Sequence, residues 1–329
     1  MLRRFTFARL ALAPAALALA VLTPSAGAAQ AAPIAIETPI VMGRELNVYG
    51  ERSLRDMKKV IVPTIVVRYA LRGSLFVVNQ GRGATARAKG KFVVGGLDKA
   101  YLQDLSKRLY DDFVARLRAA GVEVLTFDDL RNIPEVQRMP RYQADGEWGM
   151  PTVNPPGADV EYAVAFPSDD QAIDPPMQGY GWGFRKVMKD LNAGIIVPEY
   201  TIDAPLLGGE TDRSISSRSA SVNISPRMRL MAMTSFTTEK LGGGGFQMKK
   251  PMTDIGGDVG QIGAVEDASP RVANALSRSL SILSGSADMQ TSSTNYGMKV
   301  DREAYSAQFL RATVSWNSEV IAYMQAQRR

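Results

Sequence analysis

The chain has no cysteine and no histidine among its 329 residues. Without thiols it cannot be stapled by disulfides, and no cysteine can carry a lipid. Without imidazole it lacks the commonest general base and the commonest transition-metal ligand. Every Ser-His or Cys-His nucleophile pair is excluded, as are zinc sites of the usual kinds. The two commonest serine-nucleophile signatures, Ser-x-x-Lys and Gly-x-Ser-x-Gly, are missing too. No Asp-x-Asp-x-Asp-Gly calcium loop occurs. The residue types therefore point to a protein that is not an enzyme, with no catalytic residue, cofactor or metal to assign.

The first residues read as a targeting segment. Arg3, Arg4 and Arg9 precede an apolar run, Leu10–Leu22, that is too short to span a bilayer. Ala29-Gln30-Ala31 is a legal cleavage site, and so is Ala26-Gly27-Ala28. A retained anchor is the alternative, weakened by Pro14 and the many alanines. The Arg3-Arg4 pair hints at twin-arginine export, but Phe5-Thr6-Phe7 fits that pattern poorly, so general secretion is expected. The expected location is periplasmic, with a peripheral outer-membrane contact compatible with it. Removing three arginines from 39 basic residues leaves 36 against 33 acidic ones, a net charge of +3. That near balance argues against a nucleic-acid partner.

What is present organises around Leu97–Phe127. Leu97, Tyr101, Leu105, Leu109, Phe113 and Leu117 recur every four residues, and Leu102 and Val114 widen the stripe. This predicts a helix on a core, capped by Asp98 and closed by a left-handed Gly121. Val122, Val124 and Phe127 predict a buried strand after it. Val60–Leu71 is apolar on both faces, as in a central covered strand, with Pro63 at its start or at a bulge. Gln80–Lys91 carries four basic residues and no acid. It reads as a solvated hairpin tip, with an anion-binding loop as the alternative. Asp159–Phe166 predicts a half-buried strand, Phe184–Leu191 a short helix, and Ile195–Ile202 a strand. Ala204–Ser217 reads as a polar loop.

Over 219–238 apolar and polar residues alternate, predicting one long strand or two bent at Pro226. Leu241–Ala264 reads as a glycine-rich loop, without the Gly-Lys-Ser/Thr of a phosphate cradle. Val272, Leu276, Leu280 and Leu283 predict a helix, Ser286–Asn295 a linker, and Tyr305, Phe309, Ala312, Trp316, Val320 and Tyr323 a last helix from about Asp301.

The expected fold is α/β, with α+β as the alternative: a mixed sheet flanked by helices, plus a C-terminal helix. The expected divisions are a signal peptide at 1–31, an extended arm at 32–58, an α/β domain at 59–265 and a C-terminal helical region at 266–329. A long loop insertion at 131–157 interrupts the domain. Asp111-Asp112, Asp128-Asp129 and Asp169-Asp170 could pair carboxylates for glycoside chemistry, but helix faces, caps and turns explain them better. The residues singled out as partner contacts are Tyr142, Trp148, Tyr180, Trp182 and Trp316, aromatics on turn-rich loops and on the last helix.

Val60–Leu71, Leu97–Asp129, Asn192-Ala193-Gly194-Ile195-Ile196-Val197 and Ser219–Thr238 follow one another in an order that resembles a periplasmic α/β domain. It is the domain shared by the curli-secretion lipoprotein, the amino-terminal domain of the Tol-system propeller protein, and lipoprotein activators of penicillin-binding proteins. This chain lacks the lipidation cysteine and carries the 131–157 insertion. The resemblance implies an interaction or assembly role at the cell envelope, with other envelope proteins or copies of itself as partners. A periplasmic binding or carrier protein for a small or lipidic ligand is the alternative.

Overall fold

The structure is a computed structural model. It describes residues 32–41, 43–55, 57–81, 84–144, 148–155, 159–213, 218–238, 242–253, 255–265 and 293–328. The signal segment expected at 1–31 and the helix expected around Val272–Leu283 lie outside the described residues. Those from Ala31 onward form one compact unit.

In chain order the first strands are β1 (Leu46–Tyr49), β2 (Lys59–Val62), β3 (Val66–Gly81), β4 (Ala84–Gly95) and β5 (Glu123–Thr126). β6 (Thr152–Val153), β7 (Val160–Ala165), β8 (Gly194–Asp203), β9 (Leu206–Arg213) and β10 (Arg218–Ser225) follow. β11 (Arg229–Thr238), β12 (Gly242–Met248), β13 (Gly260–Ala264) and β14 (Ser293–Val300) complete them. The helices are α1 (Arg52–Arg55), α2 (Lys99–Ala119), α3 (Phe127–Leu130), α4 (Pro134–Gln137), α5 (Tyr180–Gly183), α6 (Arg185–Leu191) and α7 (Arg302–Gln327).

Twelve strands make one mixed sheet, in the order β1-β12-β11-β8-β3-β4-β14-β13. β2 joins β5 to β8, and β7 joins β6 to β3. Pairings of β2 with β5 and β8, β3 with β8 and β4 with β14 are parallel. The fold is thus mixed α/β.

α2 and α7 cover one face. The stripe read from sequence is the buried one: Leu102, Leu105, Leu109, Phe113 and Leu117 are interior. Asp98 accepts the Tyr101 N–H at 2.9 Å, and Gly121 has φ +75°. A Cβ-bearing residue would resist that angle, so glycine ends the helix there. α7 lies beside α2 and buries Tyr305, Phe309, Ala312, Trp316 and Val320. Arg328, at its end, donates to the Ala120 and Gly121 carbonyls of α2's last turn. Those carbonyls lack intrahelical partners, so a cation there is doubly favourable.

A second core under α3 to α6 covers the other face, holding Ile61, Val66, Val164, Ile195 and Val197. The central strands are therefore apolar on both sides, as Val60–Leu71 predicted. Pro63 occupies the break between β2 and β3, where no ladder N–H is required. Pro198 lies between Ile195, paired with β2, and Glu199, paired with β3. It thus meets a gap in that ladder.

Over 219–238 the alternative of two strands broken at Pro226 holds: they are β10 and β11, and they lie in different sheets. Four expectations need correction. The stretch expected as a glycine loop contains β12 and β13. A Cβ on Gly244 would lie 2.4 Å from the Tyr49 carbonyl oxygen and 2.5 Å from the Phe236 ring. Glycine is required there by close approach between strands, not by a turn. Residues 206–213 of the expected polar loop form β9. The expected linker ends in β14, whose Tyr296, Met298 and Val300 point into the core. β7 is covered on both faces because small Ala163 and Ala165 also turn inward.

Candidate functional site

The five aromatics do not form one surface. Tyr142 stacks on Phe166 with ring centroids 5.3 Å apart, and its N–H donates to the Ala172 carbonyl. Tyr180 is buried and its hydroxyl donates to the Ile173 carbonyl at 3.0 Å. Burial raises the phenol pKa of both. Trp148 packs half-buried against the main core, and its indole N–H has no partner among the described residues. Trp316 is fully buried and donates to the Thr234 hydroxyl at 3.1 Å. It anchors α7 to its own sheet and offers no surface to a partner. Trp182 alone is exposed, at 56%, with the Arg185 guanidinium over its ring.

The described residues of the 131–157 segment are held against the rest of the protein. The segment includes α4 and β6, and Arg141 bridges to Ile173. Beneath it lies a cleft of about 230 Å³, lined by Tyr142, Met150, Phe166, Lys99, Gln103 and Asp169. Lys99 Nζ lies 2.8 Å from Asp169 and Gln103 donates to the same carboxylate. The Lys99 contact holds the Asp169 carboxyl below the usual carboxylate range. Asp169 is thus committed to an ion pair. Asp129 caps α3 by accepting from the Thr126 N–H and hydroxyl, and Asp112 holds Arg116. Within the acidic pairs Asp129 is a helix cap, one of the roles expected from sequence, and Asp112 and Asp169 form ion pairs, which were not expected. Among the described residues, no group of three or more acids could hold a metal ion, and no helix is long and apolar enough to cross a membrane.

Sequence reasoning missed the most distinctive feature, a pair of hairpins projecting together. β3 and β4 pair from Arg72–Val93 out to Gly81–Ala84. Pairing of β3 with β7 stops at Gly73, and pairing of β4 with β14 starts at Lys89. Beyond those points the hairpin leaves the main sheet. β9 and β10 form a second, two-stranded sheet laid against it. Their shared core is small: Ala88, Ala220 and Val222, flanked by Leu75, Val77 and Leu207.

Two glycines set the spacing of the layers. A Cβ on Gly209 would lie 2.5 Å from Val77 Cγ2, and one on Gly90 2.6 Å from Val222 Cγ1. Gly208-Gly209 thus reads as a turn in sequence but serves as a close-packing point. The alternation of Ala220, Val222 and Ile224 was the available signal for β10.

Among the described residues, β9 and β10 pair only with each other. The outer halves of β3 and β4 also pair only with each other. The arm therefore presents several strand edges whose alternate N–H and C=O groups have no ladder partner among the described residues. Such edges are templates for another strand.

Comparison of the chain with protein-family models and with curated protein sequences finds no match in either.

Proposed function

We propose that this chain is a non-catalytic, exported cell-envelope protein. It acts in the periplasm by protein–protein interaction or oligomeric assembly, through the strand edges of its double-hairpin arm. The partners are other envelope proteins or copies of the same chain. The observation that carries this reading is the arm itself. An isolated hairpin is marginal in water, and among the described residues this arm's buried core is Ala88, Ala220 and Val222. Its long strands are better explained by what their edges meet. Strand addition supplies main-chain hydrogen bonds for affinity, and alternate side chains then select the partner. The resemblance of the element order to that of envelope assembly domains and the missing imidazole and thiol chemistry support the same role.

Hydrogen exchange tests it. In a dilute sample, outward amides of Leu206–Arg213 and Arg218–Ser225 should exchange fast. In a concentrated or partner-bound sample they should slow at least about tenfold, as ladder bonds form. An oligomer whose arm amides exchange at the dilute rate would place its interface elsewhere.

The second reading is a carrier for a small or lipidic ligand. The 230 Å³ cleft with Met150 and Phe166 on its wall favours it. A lipid co-purifying with a monomer, and lost in Phe166→Ala, would support it over assembly.

A further inference from the structure

A second cleft, of about 480 Å³, sits at the root of the β3–β4 hairpin. Lys89 and Lys91 alternate along β4 with Gly90 and Phe92. Gly90 faces Val222, and Phe92 belongs to the core on the α2 and α7 side. The two lysines therefore point to the opposite face. The register puts Ser74 across from Lys91, Phe76 across from Lys89, and Val78 across from Arg87, all on that face.

The charges around the cleft are unevenly engaged. Arg72 contacts Glu161 at 2.6 and 2.8 Å. The Asp159 carboxylate accepts from the Ser74 hydroxyl at 2.9 Å. Glu161 is thus ion-paired and Asp159 is hydrogen-bonded to a neutral hydroxyl, whereas neither Lys89 nor Lys91 has an ion-pair partner among the described residues. Two residues apart on a strand, their Cα atoms are roughly 7 Å apart, and their flexible stems can converge on one oxyanion. Lysine serves as a point-charge phosphate binder. Beside them Phe76 is 54% exposed, so an apolar ring is open to solvent on the face that carries the two lysines.

We propose that this cleft binds the phosphate of an anionic amphiphile. Lys89 and Lys91 hold the oxyanion, and Phe76 lies against the apolar portion next to it. Two ammonium groups alone would suit any small phosphate. The exposed ring on the same face selects a phosphate attached to something apolar, of which a phospholipid headgroup is the plainest case. Headgroup binding here does not require the arm to assemble.

The test uses the full chain with three probes: inorganic phosphate, short-chain phosphatidylglycerol below its micellar concentration, and phosphatidylcholine vesicles with or without phosphatidylglycerol. The chain should sediment with the anionic vesicles, less so as salt rises, and should bind the short-chain lipid more tightly than inorganic phosphate. Each lysine near an anionic headgroup is worth about fivefold, so K89Q/K91Q should weaken lipid binding about 25-fold. Phe76→Ser should weaken lipid binding while leaving inorganic phosphate unchanged. Both lysines and Phe76 are exposed, so the variants should fold. K107Q/K250Q removes the same charge at exposed positions outside the cleft and should bind like the unsubstituted chain. Equal binding by K89Q/K91Q, equal loss in K107Q/K250Q, or no preference for phosphatidylglycerol vesicles would overturn the proposal. Inorganic phosphate bound as tightly as the lipid would overturn its amphiphile half.

Discussion

Asp112 should be the most costly single carboxylate to remove from this fold. It is 1% exposed on α2 and ties the N-terminal stretch to the helix. Its Oδ1 accepts the Ile34 N–H at 2.7 Å, and Arg116 Nε reaches both oxygens at 2.8 and 3.0 Å. Arg116 also donates to the Ile34 carbonyl, so amide, carboxylate and guanidinium close a ring. Asp112→Ala strands a guanidinium that is only 20% exposed and leaves an amide without its acceptor. Breaking a buried pair costs about 3–5 kcal/mol, and the partial exposure of Arg116 points to the lower end, about 3 kcal/mol. Asp112→Asn keeps an acceptor for Ile34 but loses the charge, and should cost about half as much. Denaturant unfolding measures both. Limited proteolysis adds a local readout, since the stretch before Gly43 should be cut faster once released, despite the Ile40 N–H bond to Ser315. An Asp112→Ala chain within about 1 kcal/mol of the unsubstituted one, with no faster cleavage, would refute this account.

Leu109→Asp should unfold the protein, because it buries an unpaired charge where Leu109 is fully buried; unchanged circular dichroism and melting would refute the packing of α2. Gly209→Val should force the two hairpins apart, since its Cβ alone would sit 2.5 Å from Val77, yet global melting should move little. Faster amide exchange confined to β9 and β10 checks it. Asp98 and Asp169 titrate below the usual carboxylate range, Asp98 chiefly through the Tyr101 N–H and then Arg302, Asp169 chiefly through Lys99. Depressed native pKa values mean stability that is full above the unfolded value of about 3.9 and lost as pH falls through the native ones. Acid unfolding of D98N/D169N should therefore show a shallower pH dependence below about pH 4.

The parts legible in sequence were those whose pattern is local. α2 announced itself through a four-residue repeat, an Asp cap and a Gly stop, and each proved to do what its chemistry suggested. α7 was legible in the same way, although Trp316 is an internal anchor rather than a contact. The strands missed were those containing glycine. Gly209 and Gly243–Gly245 look like turns because residue preference records backbone freedom. Here the absence of a side chain lets Val77, Tyr49 and Phe236 come close, and that reason exists only between distant segments. β14 alternates visibly at Tyr296, Met298 and Val300 but is short and follows a serine-rich stretch. The arm was legible only in pieces, as a hairpin tip at Gln80–Lys91 and a strand beginning near Ser219; that the two hairpins pack together was not, because they lie more than a hundred residues apart. For the same reason the basic run at Gln80–Lys91 looked like a solvated tip, although Lys89 and Lys91 line a cleft once β7 arrives beside β3.

Light scattering on the chromatographically separated full chain tests the central claim most directly. Assembly through the arm predicts one defined oligomer, which Gly209→Val converts to a folded monomer. A chain that stays monomeric at every concentration and with envelope extract present, or an oligomer indifferent to Gly209→Val, would contradict it.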